Sequence, residues 1–238
     1  MINQIKKFLK KTFLYKYYYY FKYRKFNNLS RKKSFEKIYK DVIWGSSINT
    51  PFNSGKGSHD LTTIRPYIET VNSFLEKKDF SVTDLGCGDF NIGKHFANNT
   101  KEYYAIDIVP ELIDFNKNKY KDLNINFLCL DIVSDQLPSS DVVLLREVLQ
   151  HLNNRDVEII VRKIEKFYKH IIVTEKIPLG IFIENKDKLN NSGPGTRFSV
   201  NSGIALHLPP FELNHKYKIE LCKVIFKDYQ LVTTLYKN

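Results

Sequence analysis

Asp84, Asp107 and Asp131 each close a short apolar run of this 238-residue chain, and Gly86 and Gly88 follow the first of them. Parallel strands that end together on one rim of a sheet bring such acids to one place. Glycines at a strand-to-helix turn let backbone approach a ligand closely, because no Cβ stands in the way. Asp107 lies 19 residues beyond Gly88, a spacing at which an acid accepts hydrogen bonds from both hydroxyls of a ribose. Asp131 can accept from an adenine amino group. Asp84 can hold the glycine turn or bond the amino-acid portion of a ligand. Any one of these acids alone is more often a helix cap or a solvated loop residue. The three in register with the glycines describe a cradle for a nucleoside cofactor. Cys87 in the turn, Ile108 and Ile132 beside the acids, and Arg146 after a later strand complete the expected cofactor contacts.

The elements that position these residues alternate between strand and helix from residue 81 onward, the pattern of a parallel sheet covered on both faces. Strands are expected at 81–85, 103–108, 125–130, 142–145 and 170–174, and helices at 92–98, 111–120 and 156–167. The last stretch, 219–226 and 230–236 around Lys227-Asp228-Tyr229, reads as an antiparallel hairpin. The expected fold is therefore α/β: a Rossmann-like, doubly wound, mostly parallel seven-stranded sheet with a C-terminal antiparallel hairpin and an N-terminal helical arm. Residues 1–30 form the arm and 31–238 the domain. Within the domain, 31–80 is a helical lead-in and lid, 81–177 the cofactor core, 178–215 a substrate loop and 216–238 the hairpin. Pro66 is expected in the first turn of a lead-in helix, where a missing N–H costs nothing. Segment 178–215 is rich in Gly and Pro, and a loop of that length inside a domain is usually functional.

A dinucleotide fingerprint wants a third glycine where Asn91 stands, and Gly93 comes two residues late. The chain instead resembles the class I S-adenosylmethionine-dependent methyltransferases over roughly residues 80–177. The matching residues are Asp84, Gly86 and Gly88 after the first strand, Asp107 after the second and Asp131 after the third. Phe90 stands where some members carry glycine, a departure that narrows the cradle. A closer resemblance, to a bacterial group that modifies surface glycans and small molecules, rests on five stretches. These are Phe35-x-x-Ile38-Tyr39, Trp44-Gly45, Ser54-Gly55-x-Gly57-Ser58, 145–152 and Leu208-Pro209-Pro210-Phe211. The resemblance implies S-adenosylmethionine as cofactor, a segment 44–59 folded over it, and methyl transfer to a sugar, a glycan precursor or another small acceptor, through its hydroxyl. A neutral acceptor needs its proton removed. His151, Glu147 and Glu175 stand at the right end of the sheet for that, with His151 and Glu175 the candidate catalytic residues. His151 also reads as a residue that lines the cofactor pocket. His59 and His207 sit in loops that can face substrate. The Pro-Pro-Phe stretch lacks the leading Asn or Asp of base-amino methylases, and Leu208 offers no acceptor.

The net charge of +11 is unevenly spread. Residues 1–40 hold 13 basic side chains and one acid, a balance of +12, which leaves the other 198 residues at −1. A nucleic-acid enzyme would carry its positive patch on the catalytic domain as well. Ile2, Ile5, Phe8, Leu9 and Phe13 recur at helical spacing with Lys6, Lys7, Lys10 and Lys11 between them. Such a helix suits an anionic membrane surface. A helix packed on the domain or on a partner, or a partly ordered tail, is the plainer alternative. No apolar run reaches the ~18 residues of a membrane span. Cys87, Cys129 and Cys222 have no zinc spacing and read as reduced thiols, so no metal is expected and the cytoplasm is the expected location, peripheral on the inner membrane face. Two rivals remain at this level: an RNA methyltransferase gripping phosphates with the arm, and a catalytically silent cofactor-fold partner at a membrane.

Overall fold

The computed structural model describes residues 13–45, 50–76 and 78–237. Its centre is a seven-stranded sheet in the order β3-β2-β1-β4-β5-β7-β6. The strands are β1 Ser81–Leu85, β2 Glu102–Asp107, β3 Asn126–Cys129, β4 Ser140–Arg146, β5 Tyr168–Pro178, β6 Tyr217–Ile225 and β7 Tyr229–Lys237. Strands β1 to β5 pair in parallel, while β7 runs antiparallel to both β5 and β6. The expected sheet and its terminal hairpin are thus both present.

Helices α1 Phe13–Tyr23, α2 Arg31–Lys40, α3 Lys56–His59, α4 Leu61–Leu75, α5 Pro110–Lys119 and α6 Asn154–Phe167 surround it. On α6, Val157, Ile160, Val161 and Ile164 repeat at helical spacing and all are buried under the sheet. Asn153 caps this helix by accepting the Asp156 N–H, and Asp60 does the same for α4 with Thr62. One core cluster joins α6 to β4 and β5, and a second joins α4 to β1 and β2.

Four expectations change. The helix expected at 92–98 is two short 3-10 turns, Gly93–His95 and Ala97–Asn99. Phe96 is buried as its spacing implies, yet the N–H groups of His95, Phe96 and Asn99 donate to the carbonyls three residues back, those of Ile92, Gly93 and Phe96. Pro66 lies inside α4, beyond the first turn. Strand β5 runs on to Pro178, so Glu175 is within the strand. Finally, the end of the N-terminal arm is built into the body: Phe26 is fully buried, and a Cβ on Gly193 would meet it at 3.3 Å. The amphipathic stretch from Ile2 to Leu9 lies outside the described residues.

The long segment after β5 is irregular, as expected, and is held from beneath by buried polar side chains. Arg197 donates to the Leu152 and Lys186 carbonyls and to the Asn154 side chain, at 2.6–2.9 Å. Asn185 donates to the carbonyls of Ala205, Leu208 and Pro209. Phe211 is core, so the Pro-Pro-Phe stretch serves packing.

Candidate active site

The turn after β1 is fixed at nearly every polar atom. The N–H groups of Gly86 and Cys87 donate to the Ile106 carbonyl on β2. The Gly88 N–H donates to Asp107 Oδ2 at 3.1 Å, and its carbonyl accepts from the buried Asn116 of α5 at 2.7 Å. Gly86 and Gly88 adopt φ of 77° and 56°, a region that costs a side chain strain. A Cβ at Gly86 would meet Val148 at 2.5 Å, and one at Gly88 would run into the Ser54 hydroxyl. Phe90 does not narrow the cradle. Its ring turns into the core against Tyr103, Tyr120 and Phe127, and it occupies the space that a Cβ on Gly93 would need.

A segment of the lead-in closes over this turn. Ser54 and Asp89 exchange bonds: the Ser54 N–H donates to Asp89 Oδ2 at 3.0 Å, and the Asp89 N–H donates to Ser54 Oγ at 2.8 Å. His59 Nε2 lies 2.6 Å from the same carboxylate, and Asn91 donates to the Ser58 carbonyl at 2.8 Å. Tyr39 and Ser54 share a hydroxyl contact of 3.1 Å. His59 therefore fastens the lid and does not face substrate. The cavity under this segment measures about 330 Å³.

Asp84, Gly86, Cys87, Gly88, Asp107, Ile108, Asp131, Ile132, Arg146 and His151 all line the cavity. Burial pushes the Asp107 carboxyl up to about 6, against the N–H bonds from Val109 and Gly88 that pull it down. Each of its oxygens takes one of those backbone bonds, which leaves acceptor capacity for ribose hydroxyls. Burial likewise pushes Asp84 up to about 7, although the Tyr103 hydroxyl donates to it at 3.0 Å. Asp131 is already engaged. Arg31 of α2 grips it from Nε at 3.0 Å and Nη2 at 2.9 Å, and the Val133 N–H takes Oδ1. Arg31 also pairs with Asp156 at 3.2 Å. Arg146 donates to the Gly57 carbonyl at 2.9 Å and lies over the Tyr67 ring, so it braces the lid as well as the cavity.

The proposed bases divide sharply. His151 is wedged against Trp44 and Phe35, with Nδ1 donating to the Gly193 carbonyl at 3.1 Å. Burial, with Lys188 nearby, pushes its imidazole down to about 3. That loses the near-neutral value which made it attractive as a base. Glu175 is buried beneath the site and does not line the cavity. Its Oε1 accepts the Leu149 N–H, and burial with the Glu147 charge pushes it up to about 8. It therefore supports the turn after β4. His207 lies beside β6 and β7, next to Lys218 and the Tyr236 hydroxyl, away from the cavity. Glu147 does line the cavity, at a strained φ of 56°, with Arg146 at 3.4 Å and Gln150 Nε2 at 3.2 Å.

The residues fit a polar, nucleoside-sized ligand. Among the described residues, the buried Arg146 Nε and Gln150 Oε1 meet no hydrogen-bond partner, and both side chains line the cavity. Buried polar atoms left so are costly unless something else meets them. No group of three or more His, Cys, Asp or Glu among the described residues is placed to hold a metal ion.

Residues 83–170 match a methyltransferase-domain family. Phosphoethanolamine N-methyltransferase 1 of Triticum aestivum is 30% identical over 104 residues, which is 40% of this chain and 21% of that protein. The chain thus spans about a fifth of that relative's length. The N-methyltransferase NodS of Bradyrhizobium japonicum, solved with S-adenosylhomocysteine, superposes with a TM-score of 0.57 at 12% identity. The match covers 86% of this chain and all (100%) of that one. Magnesium protoporphyrin IX methyltransferase of Synechocystis, solved with S-adenosylmethionine, gives 0.54 at 12% identity over 88% of this chain and 98% of that one. Sheet order, glycine turn and family match agree: residues 83–170 match a methyltransferase domain, and the sheet built around them has the class I fold of these solved methyltransferases.

Proposed function

We propose that this protein moves a methyl group from S-adenosylmethionine to a hydroxyl of a small acceptor, of the sugar or glycan-precursor class. One observation carries the reading. A single cavity has Asp107 and the glycine turn on one side and Glu147 on another, under a lid fastened to Asp89. Asp107 is the acceptor for the two ribose hydroxyls, and the bare backbone of 86–88 admits the ligand closely. The bound cofactor supplies an already electrophilic methyl group, so placement and exclusion of water can provide most of the acceleration. The lid at 50–59 and the wall at Pro194 and Thr196 exclude that water. Glu147 accepts the proton of the acceptor, held in place by Arg146 and Gln150. An amine is the second reading, favoured by the wheat relative, which is named for methylating an amine. An RNA substrate is disfavoured because the guanidinium groups that line the cavity, Arg31 and Arg146, already pair with Asp131 and Glu147 and are not free to meet a polyanion. On its charge, the N-terminal arm rests on an anionic membrane surface in this reading.

Calorimetric titration with S-adenosylmethionine, S-adenosylhomocysteine and NAD tests the cofactor. The two adenosyl ligands bind, NAD does not, and Asp107→Ala loses most of the affinity, roughly 1.5–3 kcal/mol for each bond to the charged group. Glu147→Gln keeps S-adenosylhomocysteine affinity and loses roughly 10²–10⁴ in turnover. NAD binding as tight as the adenosyl ligands, or an indifferent Asp107→Ala, overturns the assignment.

A further inference from the structure

The rim of the sheet that holds the cavity also carries an apolar edge. Directly after β5 the chain runs Leu179-Gly180-Ile181-Phe182-Ile183, with Leu179 exposed, Ile181 98% exposed and Ile183 63% exposed. The Leu179 N–H donates to the Asp228 carbonyl at 3.2 Å, so this loop lies against the β6–β7 turn, beside which Ile225 is 63% exposed. Aliphatic side chains grouped this way in water mark an interaction surface. The cavity is close by. Lys176 lines it, and its Nζ stands 4.5 Å over the ring of Tyr229, in the same turn.

The second observation is charge on the neighbouring element. Tyr23 and Phe26 pack on Gly195 and Gly193, beside the cavity-lining Pro194 and Thr196. Phe198 meets the Tyr229 ring at 5.8 Å, and the Asn201 side chain donates to the Ile181 carbonyl at 2.9 Å. The cationic arm and the apolar loop therefore hang on one stretch of chain, 193–201, which also walls the cavity. The arm exposes Tyr18, Tyr20 and Phe21 together with Lys22, Arg24 and Lys25. Aliphatic tips suit acyl chains, aromatic rings suit the interface, and cations suit anionic headgroups. A nucleic acid would meet the cations and leave the aliphatic edge in water.

We propose that Leu179, Ile181, Ile183 and Ile225 insert into the surface layer of an anionic bilayer while the arm's cations lie on its headgroups. The acceptor is then an amphiphile carried by that bilayer. The docking stands without any assumption about the reaction; the acceptor class rests on the methyl-transfer reading.

Co-sedimentation of the full chain with vesicles tests the docking. The chain pellets with phosphatidylcholine–phosphatidylglycerol vesicles and stays in solution with phosphatidylcholine alone. The double variants Ile181→Asp/Ile183→Asp and Lys22→Glu/Arg24→Glu each lose roughly tenfold or more of this partitioning. Both keep the parent's S-adenosylhomocysteine affinity, which shows that they remain folded. With labelled S-adenosylmethionine and a bacterial polar lipid extract in the same vesicles, label enters the lipid phase. The docking is overturned if the parent ignores the anionic vesicles, if the aliphatic variant partitions like the parent, or if single-stranded RNA retains the protein where vesicles do not. No label in the lipid phase overturns the acceptor class. A parent that fails to bind S-adenosylhomocysteine sinks the cofactor reading and leaves the vesicle result standing.

Discussion

Glu175 shows how far a residue's type is from its role. The charge that makes a carboxylate a candidate base is the charge that burial penalises here. Its folded form titrates at about 8 against an ordinary 4.5, so the native state keeps a proton that the unfolded chain has lost. Stability from this group is full below about 4.5 and is lost as pH rises toward about 8. Asp84 and Asp107, raised to about 7 and about 6, push in the same direction. Glu175→Gln keeps an oxygen for the Leu149 N–H and removes the titration. Its melting temperature should therefore gain on the parent as pH rises through that window, with S-adenosylhomocysteine affinity unchanged. Melting curves whose difference is constant across pH would remove the protonated-acid account. Asp84, Asp107 and Asp131 were legible because apolar runs mark where strands end, and acids at those ends share a rim. Asp131's partner was not legible: Arg31 lies 100 positions upstream, and nothing local announces the pairing. The low value at His151 was hidden for the same reason, because its burial comes from Trp44, Phe35 and the 193–195 loop.

At the scale of elements, the strands and the hairpin could be read from apolar runs and turn residues, since period and composition are local properties. The lid was expected only through resemblance, and its fastening depends on Ser54 meeting Asp89 across 35 positions. The glycine turn and the lid are consequently one mechanical unit, and two substitutions separate their contributions. Gly88→Ala must push a Cβ against the Ser54 hydroxyl at a φ that penalises side chains. It should lower S-adenosylhomocysteine affinity by roughly tenfold or more, with strain of order 1–3 kcal/mol to relieve. Ser54→Ala leaves the turn's backbone free of clash and removes the acceptor of the Asp89 N–H, a loss of about 1 kcal/mol. A several-fold weaker ligand affinity by calorimetry is expected. Parent-like affinity in Ser54→Ala beside a crippled Gly88→Ala would mean that the turn binds and the lid does not.

For the whole molecule, the question is where the arm stops and the body begins. Charge divides the chain near residue 40, whereas packing divides it earlier. Phe26 is fully buried and Asn27 accepts two bonds from Asn191, the N–H on its side-chain oxygen at 3.2 Å and the side-chain amide on its carbonyl at 2.8 Å. Composition could not reveal this, because Phe26 looks like its exposed neighbours Tyr20 and Phe21 until the 191–195 loop covers it. A truncation that removes residues 1–12 leaves Phe26 and Asn27 in place and is the control against which their contribution is read. Phe26→Ala should cost roughly 3–5 kcal/mol, the usual range for emptying a buried aromatic site, and removing residues 1–30 should cost at least as much. Since Pro194 and Thr196 line the cavity on the loop that Phe26 supports, the longer truncation should weaken ligand binding too. Thermal melts and calorimetry on the three variants decide the matter. If the chain lacking residues 1–30 melts and binds like the parent, Phe26 contributes nothing to the wall, and the arm is an appendage governed by its charge alone.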